Sequence, residues 1–295
     1  MIRSTPLSFA VDGADWPLRT RSRFVDAGGY RWHLQELGDG PLLLLVHGTG
    51  AATHSWRDLA PSLAKSFRVL ALDLPGHAFT RPLGRLDSSL AGMAGAVAKL
   101  LGTLGTEPAI VVGHSAGAAI LARMILDKTL TPKLFVSLNG AFWPFDGFAA
   151  PLFSAAAKLL FLNPLVPRLF AWSADTKAVE KLMRGTGSVI DPRGLALYTT
   201  LFANPVHVAS TLAMMANWRL EGMERKLPNL GCASLFLVGA GDRAVPPGPA
   251  RRLAAGVPQA EFVSVEGAGH LAHEEKPDVV AEAIRAAWAT GHRAN

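Results

Sequence analysis

The sequence predicts an α/β fold in which a mostly parallel central sheet is flanked by helices, with a helical cap inserted after the sixth strand. Short apolar runs alternate with helical patterns, which is typical of parallel strands joined by helices on both faces of a sheet. The alternation stops after Leu138 and resumes at Ser234. The chain has 295 residues, 49% of them hydrophobic, so it can bury a core of its own as one α/β domain with an insertion.

The predicted elements follow one another in a regular order. The strands cover residues 23–27, 31–37, 42–46, 67–72, 109–112, 133–138, 234–238 and 261–265, and the first two form an antiparallel hairpin. Helical patterns cover residues 56–65, 90–104, 116–127, 249–255 and 277–290. We therefore expect three parts: a first part of the core at residues 1–140, a cap at 141–226 and a second part of the core at 227–295.

The composition excludes some classes of partner. A net charge of +6 suits an anionic partner, although scattered basic residues also simply keep a protein soluble. No run of Lys or Arg of the kind that forms a nucleic-acid patch is present, so we expect no nucleic-acid partner. Cys232 is the one cysteine, which rules out an intrachain disulfide.

Two segments indicate where in the cell the protein is expected. Aspartates and a proline interrupt residues 1–20, which do not resemble a signal peptide, so we expect a cytoplasmic protein. Residues 151–172 are the most apolar stretch, but their prolines and charges predict two short amphipathic helices instead of a spanning helix. Lys158 and Arg168 flank the apolar run 159–167, which leaves peripheral contact with a membrane open beside ordinary packing of the cap.

The motif Gly113-His114-Ser115-Ala116-Gly117 carries the sharpest chemical signal. It lies between a predicted strand and a helical pattern, as a nucleophile elbow does. A serine on so tight a turn needs small neighbours two residues before and after it, because backbone passes close on both sides. Gly113 and Gly117 supply them, and the helix that begins after Ser115 favours negative charge near the serine. We therefore predict that Ser115 is a nucleophile.

A nucleophilic serine needs a base to remove its proton and an acid to orient that base. Two glycine-rich loops after late strands offer them: one ends in Asp242 and the other in His270. We expect Asp242 within about 2.6 to 3.2 Å of His270 Nδ1, and Ser115 within similar reach of His270 Nε2. Three such loop motifs in the order Ser, Asp, His rarely occur together by chance.

Competing residues fit less well. His273 lies close to His270 in sequence but lacks the glycine-flanked loop position, and Asn139, at the end of the sixth strand, cannot supply a carboxylate. Six further histidines precede or flank the serine, lie in the cap or lie in the terminal tail: His47, His54, His77, His114, His207 and His292. No Cys and His cluster has zinc-ligand spacing and no nucleotide-binding glycine motif is present, so no metal and no cofactor is expected.

The motifs together resemble the α/β-hydrolase superfamily over nearly the whole chain. They are the elbow, Asp242, His270 and the two loops Val46-His47-Gly48-Thr49-Gly50 and Asp73-Leu74-Pro75-Gly76-His77. The resemblance implies an α/β-hydrolase fold and an oxyanion hole formed by the backbone N–H groups of Thr49 and Ala116. It implies a structural role for the second loop. A serine at the elbow argues against dehalogenase and epoxide hydrolase activity, because those enzymes place aspartate there.

Several further segments look like the BchO-type magnesium chelatase accessory proteins of bacteriochlorophyll biosynthesis. They are Asp15-Trp16-Pro17, Gly29-Tyr30-Arg31-Trp32-His33, His47-Gly48-Thr49-Gly50-Ala51 and Thr53-His54-Ser55-Trp56-Arg57-Asp58-Leu59. This resemblance implies a photosynthetic bacterium and a role beside magnesium insertion into protoporphyrin IX, with magnesium chelatase subunits as candidate partners. Peripheral contact with the photosynthetic membrane stays open beside a cytoplasmic location. One departure is Ala78, where the pattern has glycine; a positive φ there would be strained.

Two functions remain open at this stage. The first is a serine hydrolase, esterase-like, that acts on an ester, thioester or amide of a small apolar substrate. The second is an accessory protein that binds a porphyrin and assists the chelatase, with weak or no catalysis. We expect the cap to act as a lid over Ser115, with His114, Phe142 and Trp143 lining the substrate pocket. The cap's aromatic residues line an apolar pocket or form ordinary cap core: Phe142, Trp143, Phe145, Phe148, Phe153, Phe161, Phe170 and Trp172.

Overall fold

A single mixed sheet organises the molecule. The computed structural model describes residues 5–143, 163, 165–220 and 222–293. Within these residues, nine strands form the sheet: β1 Ser22–Ala27, β2 Tyr30–Leu37, β3 Leu42–Val46, β4 Arg68–Leu72, β5 Arg81–Pro82, β6 Ile110–His114, β7 Leu134–Leu138, β8 Ala233–Gly239 and β9 Ala260–Val265. Their order is β1-β2-β4-β3-β6-β7-β8-β9, and β5 pairs with β2. Strands β4 to β9 along this path are parallel, while β2 is antiparallel to β1, β4 and β5.

Helices cover both faces of the sheet and fill the interval between β7 and β8. The described α-helices are α1 Leu59–Leu63, α2 Leu90–Leu104, α3 Ala116–Leu126, α4 Leu165–Ser173, α5 Thr176–Gly185, α6 Pro192–Phe202, α7 Pro205–Asn217, α8 Met223–Lys226, α9 Pro247–Ala255, α10 Ala272–Glu275 and α11 Pro277–Arg293. Short 3-10 turns cover Arg19–Arg21, Thr53–Trp56 and Leu227–Asn229. The predicted helix at residues 56–65 is thus a 3-10 turn followed by the five-residue α1.

The core has two layers because strand side chains alternate between the faces of the sheet. Leu44 and Val46 of β3 pack with α2 and α3 on one face. Leu43 and Leu45 of the same strand pack with α1 and α11 on the other. Since both faces are covered, the central strands are apolar throughout, and this is the pattern that made them recognisable in the sequence.

Prolines and capping side chains set the ends of the helices between β7 and β8. Asp191 and Asn204 cap α6 and α7, and each is followed by a proline at the first helical position, where the missing N–H does no harm. We call α4 to α7 the cap helices. They follow β7, which is the strand predicted as the sixth at residues 133–138. The count differs by one because the two-residue β5 is too short to leave a sequence pattern. None of the described helices has the length and apolarity needed to cross a membrane.

Candidate functional site

Ser115 lies on the sharp turn between β6 and α3. Its φ of 51° and ψ of −115° are unusual for a residue other than glycine, as expected of a serine at a strained elbow. A Cβ on Gly113 would stand 2.4 Å from the backbone N of Ala118, and one on Gly117 would stand 2.1 Å from the carbonyl O of Val46. Both glycines are therefore required by close approach of the backbone, as the sequence predicted.

Asp242 and His270 lie at the ends of β8 and β9 and contact each other. His270 Nδ1 and Asp242 Oδ2 are 2.9 Å apart, within the predicted range. No hydrogen bond joins Ser115 Oγ to His270 Nε2 among the described residues, so that half of the prediction is not met in this structure. The other carboxylate oxygen, Oδ1, accepts hydrogen bonds from the backbone N–H groups of Ala244 and Val245, both at 2.8 Å. A buried carboxylate held in this way accepts a hydrogen bond from Nδ1–H of His270, which leaves Nε2 as the ring nitrogen that can take a proton.

Asn139 at the end of β7 is a further member of this group. Its Nδ2 donates to Asp242 Oδ2 at 2.6 Å, and its backbone φ is 48°. Asn139 was not predicted to orient His270, because it has no carboxylate. In the structure it binds the carboxylate that orients His270, through a contact between residues 103 positions apart.

The loop that carries His270 is fixed from several sides. His114 Nε2 lies 2.9 Å from the carbonyl O of His270, and the backbone N–H of Leu271 donates to Ser188 Oγ at 2.8 Å. Gly269 N–H donates to Glu275 Oε2 at 2.8 Å. Burial, together with the neighbouring His273 and His270, holds the pKa of His114 well below its usual value, so His114 is neutral and acts in the loop as a hydrogen-bonding group.

Two backbone N–H groups are available for an oxyanion. The N–H groups of Thr49 and Ala116 make no hydrogen bond within the part of the chain that the structure describes, and both residues line the same cavity as Ser115. A Cβ on Gly48 would stand 2.8 Å from His114 Nδ1 and 3.0 Å from Ser115 Cβ, so only glycine lets this loop come so close to the serine. The arrangement can stabilise negative charge that develops on a bound carbonyl oxygen.

An apolar cavity of about 250 Å³ lies over Ser115 and is bounded by the cap helices. Ser115, His270 and His114 line it, as predicted for His114. The prediction that Phe142 and Trp143 line it was wrong. Phe142 is 1% exposed and packs in the core against Phe135 and Phe236, and Trp143 packs against the same core cluster.

The cavity walls come mostly from the second half of the cap. One wall is formed by α7, and its contributing residues have helical spacing: Val208, Thr211, Leu212 and Met215. Tyr198, Phe202 and Trp218 add aromatic surface. The pocket was predicted where aromatic residues are densest, so the apolar face of α7 was missed. Its spacing of i, i+3, i+4 and i+7 is the sequence signal that could have indicated it. Of the predicted aromatic residues, Phe170 lines the cavity, Trp172 is 76% exposed, and Phe145, Phe148, Phe153 and Phe161 lie outside the described residues.

The loop after β4 has the structural role that the resemblance implied. Asp73 Oδ2 lies 2.7 Å from His33 Nδ1, and its Oδ1 accepts the backbone N–H of Thr53 at 2.7 Å. Burial would raise the pKa of Asp73, but the charge and the hydrogen bond of His33 outweigh it and lower the pKa to about 2. Ala78 in this loop has the positive φ expected of a glycine, 42°, so the departure from the pattern is strained as predicted.

A buried ionic network that the sequence analysis did not foresee joins the core to the cap. Arg57 pairs with Glu274 and, at 3.0 Å, with Asp191, the residue that caps α6. Burial alone would lower the pKa of Arg57, but these two carboxylates raise it above its ordinary value. Tyr198, which lines the cavity, donates its hydroxyl to Glu274 Oε1 at 2.7 Å. The network holds one cavity wall in place from behind.

No group of three or more His, Cys, Asp or Glu side chains among the described residues is arranged to hold a metal ion.

Comparisons with known proteins identify the family of the chain. The family model described as "Alpha/beta hydrolase family" matches residues 43–283. The chain is 39% identical over 271 residues to the magnesium-chelatase 30 kDa subunit of Rhodobacter capsulatus, covering 90% of this chain and 93% of that protein. It is 26% identical over 262 residues to a pimeloyl-(acyl-carrier protein) methyl ester esterase of Xanthomonas oryzae pv. oryzae, covering 86% and 97% of the two chains.

A solved structure shares the fold. The thermophilic esterase from Thermogutta terrifontis superposes with a TM-score of 0.74 at 23% identity, covering 92% of this chain and 99% of the esterase. The match of the family model over most of the chain and the similarity to a protein of nearly the same length lead to one conclusion: the chain belongs to the alpha/beta hydrolase family.

Proposed function

We propose that the protein is a serine hydrolase that cleaves an ester, thioester or amide of an apolar acid, with Ser115 as nucleophile, His270 as base and Asp242 as the residue that orients His270. The observation that supports this most is the buried Asp242–His270 pair at 2.9 Å, in which His270 lines the same apolar cavity as a serine on a strained elbow. An accessory protein that only bound a ligand would not need these three groups together.

The proposed reaction follows from these positions. Ser115 Oγ attacks the carbonyl carbon while His270 Nε2 takes the hydroxyl proton, and Asp242 stabilises the imidazolium that forms. The carbonyl electrons move to oxygen, where the N–H groups of Thr49 and Ala116 stabilise the negative charge. As the tetrahedral intermediate collapses, His270 gives the proton to the leaving alcohol, thiol or amine. Water then attacks the acyl-enzyme by the same route and releases the acid and free Ser115.

The comparison with the magnesium-chelatase 30 kDa subunit supports a second candidate. At 39% identity over nearly the full length of both chains, this protein could act beside magnesium chelatase in bacteriochlorophyll synthesis, in the cytoplasm or at the edge of the photosynthetic membrane. In that case the cavity would bind a porphyrin. The orientation of His270 by Asp242 favours hydrolysis over this alternative, because a cavity that only binds a porphyrin does not need an oriented base beside a serine.

A fluorophosphonate probe tests the proposal directly, because it labels only an activated serine. We expect labelling at Ser115, located by mass mapping, and hydrolysis of nitrophenyl butyrate. Ser115→Ala should abolish labelling and reduce turnover by about 10³-fold or more, to what the oxyanion hole alone supports. Ser264→Ala is the matched control, since Ser264 hydrogen-bonds Glu266 on the surface and should keep full activity. Unlabelled wild-type protein with no esterase activity would contradict the proposal and favour the binding role.

A further inference from the structure

A second apolar cavity lies next to the one over Ser115. It is a groove of about 250 Å³ between α4 and α5, lined by Phe170, Ser173, Ala174, Ala178, Val179, Lys181, Leu182 and Phe202. It offers few polar groups to a ligand. The Ser173 hydroxyl already donates to the carbonyl O of Phe170 at 3.0 Å, and the side chain of Lys181 is exposed to solvent. An occupant of this groove would be held by apolar contact.

The two cavities share one wall. Phe170, Leu182 and Phe202 line both the groove and the cavity over Ser115. The rings of Phe170 and Phe202 lie edge to face with centroids 6.1 Å apart. A group that passed between these side chains would therefore run from the serine to the groove without leaving apolar surroundings.

One side of this wall is fixed and the other is free to adjust. Phe202 is 7% exposed and stacks on Tyr198, with ring centroids 6.0 Å apart, and Tyr198 is itself held by Glu274. Phe170, by contrast, is 42% exposed and Leu182 is half-buried. Rotation of the Phe170 side chain would widen the passage without disturbing the network behind Phe202.

We propose that the groove is a second subsite, which binds the far end of a long unbranched apolar chain whose reacting carbonyl lies at Ser115. This inference rests on the proposed hydrolase function and deepens it. The inner cavity takes the first carbons of the acyl chain, the chain passes between Phe170, Leu182 and Phe202, and the remaining methylenes lie in the groove. The substrate class is then a long-chain acyl ester or thioester, and short acyl groups use only the inner cavity.

The test compares nitrophenyl butyrate with nitrophenyl decanoate on the full chain. Each buried methylene adds about fourfold to affinity, so we expect kcat/KM for the decanoate to exceed that for the butyrate by at least about tenfold. Ala178→Trp fills the groove from α5 and should remove at least about tenfold of the decanoate activity, while butyrate activity stays within about twofold. Lys177→Trp is the matched control, because it adds the same side chain on the same helix at an exposed position outside the groove lining.

The outcomes separate the two proposals. Selective loss of decanoate turnover in Ala178→Trp, absent in Lys177→Trp, supports the subsite. Equal effects of Ala178→Trp on both esters, or no effect on the decanoate, would overturn the subsite and leave the hydrolase proposal standing. A groove occupied by a second copy or by other residues of this chain would have the same consequence. Failure of the wild type to hydrolyse either ester would overturn the hydrolase proposal and the subsite with it.

Discussion

Asn139 offers a direct test of how Asp242 acts on His270. Asp242 Oδ2 receives two hydrogen bonds, from His270 Nδ1 at 2.9 Å and from Asn139 Nδ2 at 2.6 Å. Asn139 Nδ2 also donates to the carbonyl O of Gly269 at 3.4 Å, while Asn139 Oδ1 has no hydrogen-bond partner among the described residues. We infer that Asn139 positions the Asp242 carboxylate for its hydrogen bond with His270.

The magnitude follows from the hydrogen bond that is lost. A hydrogen bond to a charged group contributes about 1.5 to 3 kcal/mol. Asn139→Leu removes the donor but leaves the two backbone donors on Asp242 Oδ1, so we expect a loss of about tenfold in kcat/KM, equivalent to about 1.4 kcal/mol. Asn139→Asp instead places a second carboxylate against Asp242 in a buried site, where the two share a proton because both cannot ionise at such a distance.

The assay is the pH dependence of nitrophenyl ester hydrolysis by the two variants. With a shared proton, Asn139→Asp should lose about 10²-fold at neutral pH and recover part of that loss as rising pH removes the proton. Asn139→Leu has no such proton, so its loss should be the same at all pH values. Parallel pH profiles for both variants, or full activity in Asn139→Leu with unchanged thermal stability, would refute the positioning role.

The remaining predictions concern stability and the rival function. The pKa of Asp73 lies below its unfolded value, so its contribution to stability is present above about pH 4 and is lost as pH falls towards 2; it amounts to about 2 kcal/mol. Urea titrations should therefore show a lower free energy of unfolding for Asp73→Asn than for the wild type at pH 7. Between pH 4 and pH 2 the free energy of unfolding should fall less in Asp73→Asn than in the wild type. An equal fall in both proteins would contradict this prediction. The porphyrin alternative can be tested by tryptophan fluorescence, because Trp218 lines the cavity. Binding at micromolar protoporphyrin IX, about 8 kcal/mol of binding free energy, would quench this fluorescence saturably, and Trp218→Phe would remove the quenching. We expect no such saturable quenching. Quenching lost in that variant would favour the accessory role.

Much of the fold could be predicted from the sequence because buried parallel strands are continuous apolar runs. The helix at residues 90–104 was placed at its observed bounds, since Ser89 caps it and Gly105 ends it in the left-handed region. By contrast, β5 has two residues and depends on its pairing with β2, which leaves no local pattern.

The two parts of the site differ in how far they could be predicted. Ser115, Asp242 and His270 each follow a strand in a glycine-rich loop, and the close approaches around Gly113 and Gly117 are a local requirement that the sequence records. The cavity walls depend on how the cap helices turn over the sheet. Phe142 lies four residues after the end of β7 and packs in the core on Phe135 of that strand, although the density of aromatic residues around it suggested a pocket.

Hydrogen bonds join the cap helices to the loops of Asp242 and His270, and they limit how a lid formed by these helices could open. In the loop between α5 and α6, the carbonyl O of Thr186 accepts the N–H of Arg243 at 3.0 Å, and Ser188 Oγ accepts the N–H of Leu271 at 2.8 Å. These bonds hold the loops of Asp242 and His270 respectively. Lifting the cap helices as one body would break both hydrogen bonds, at about 1 kcal/mol each, and would release the loops that carry Asp242 and His270. Opening on the side of α4, at the exposed Phe170, leaves them intact, and this is the side on which the groove lies.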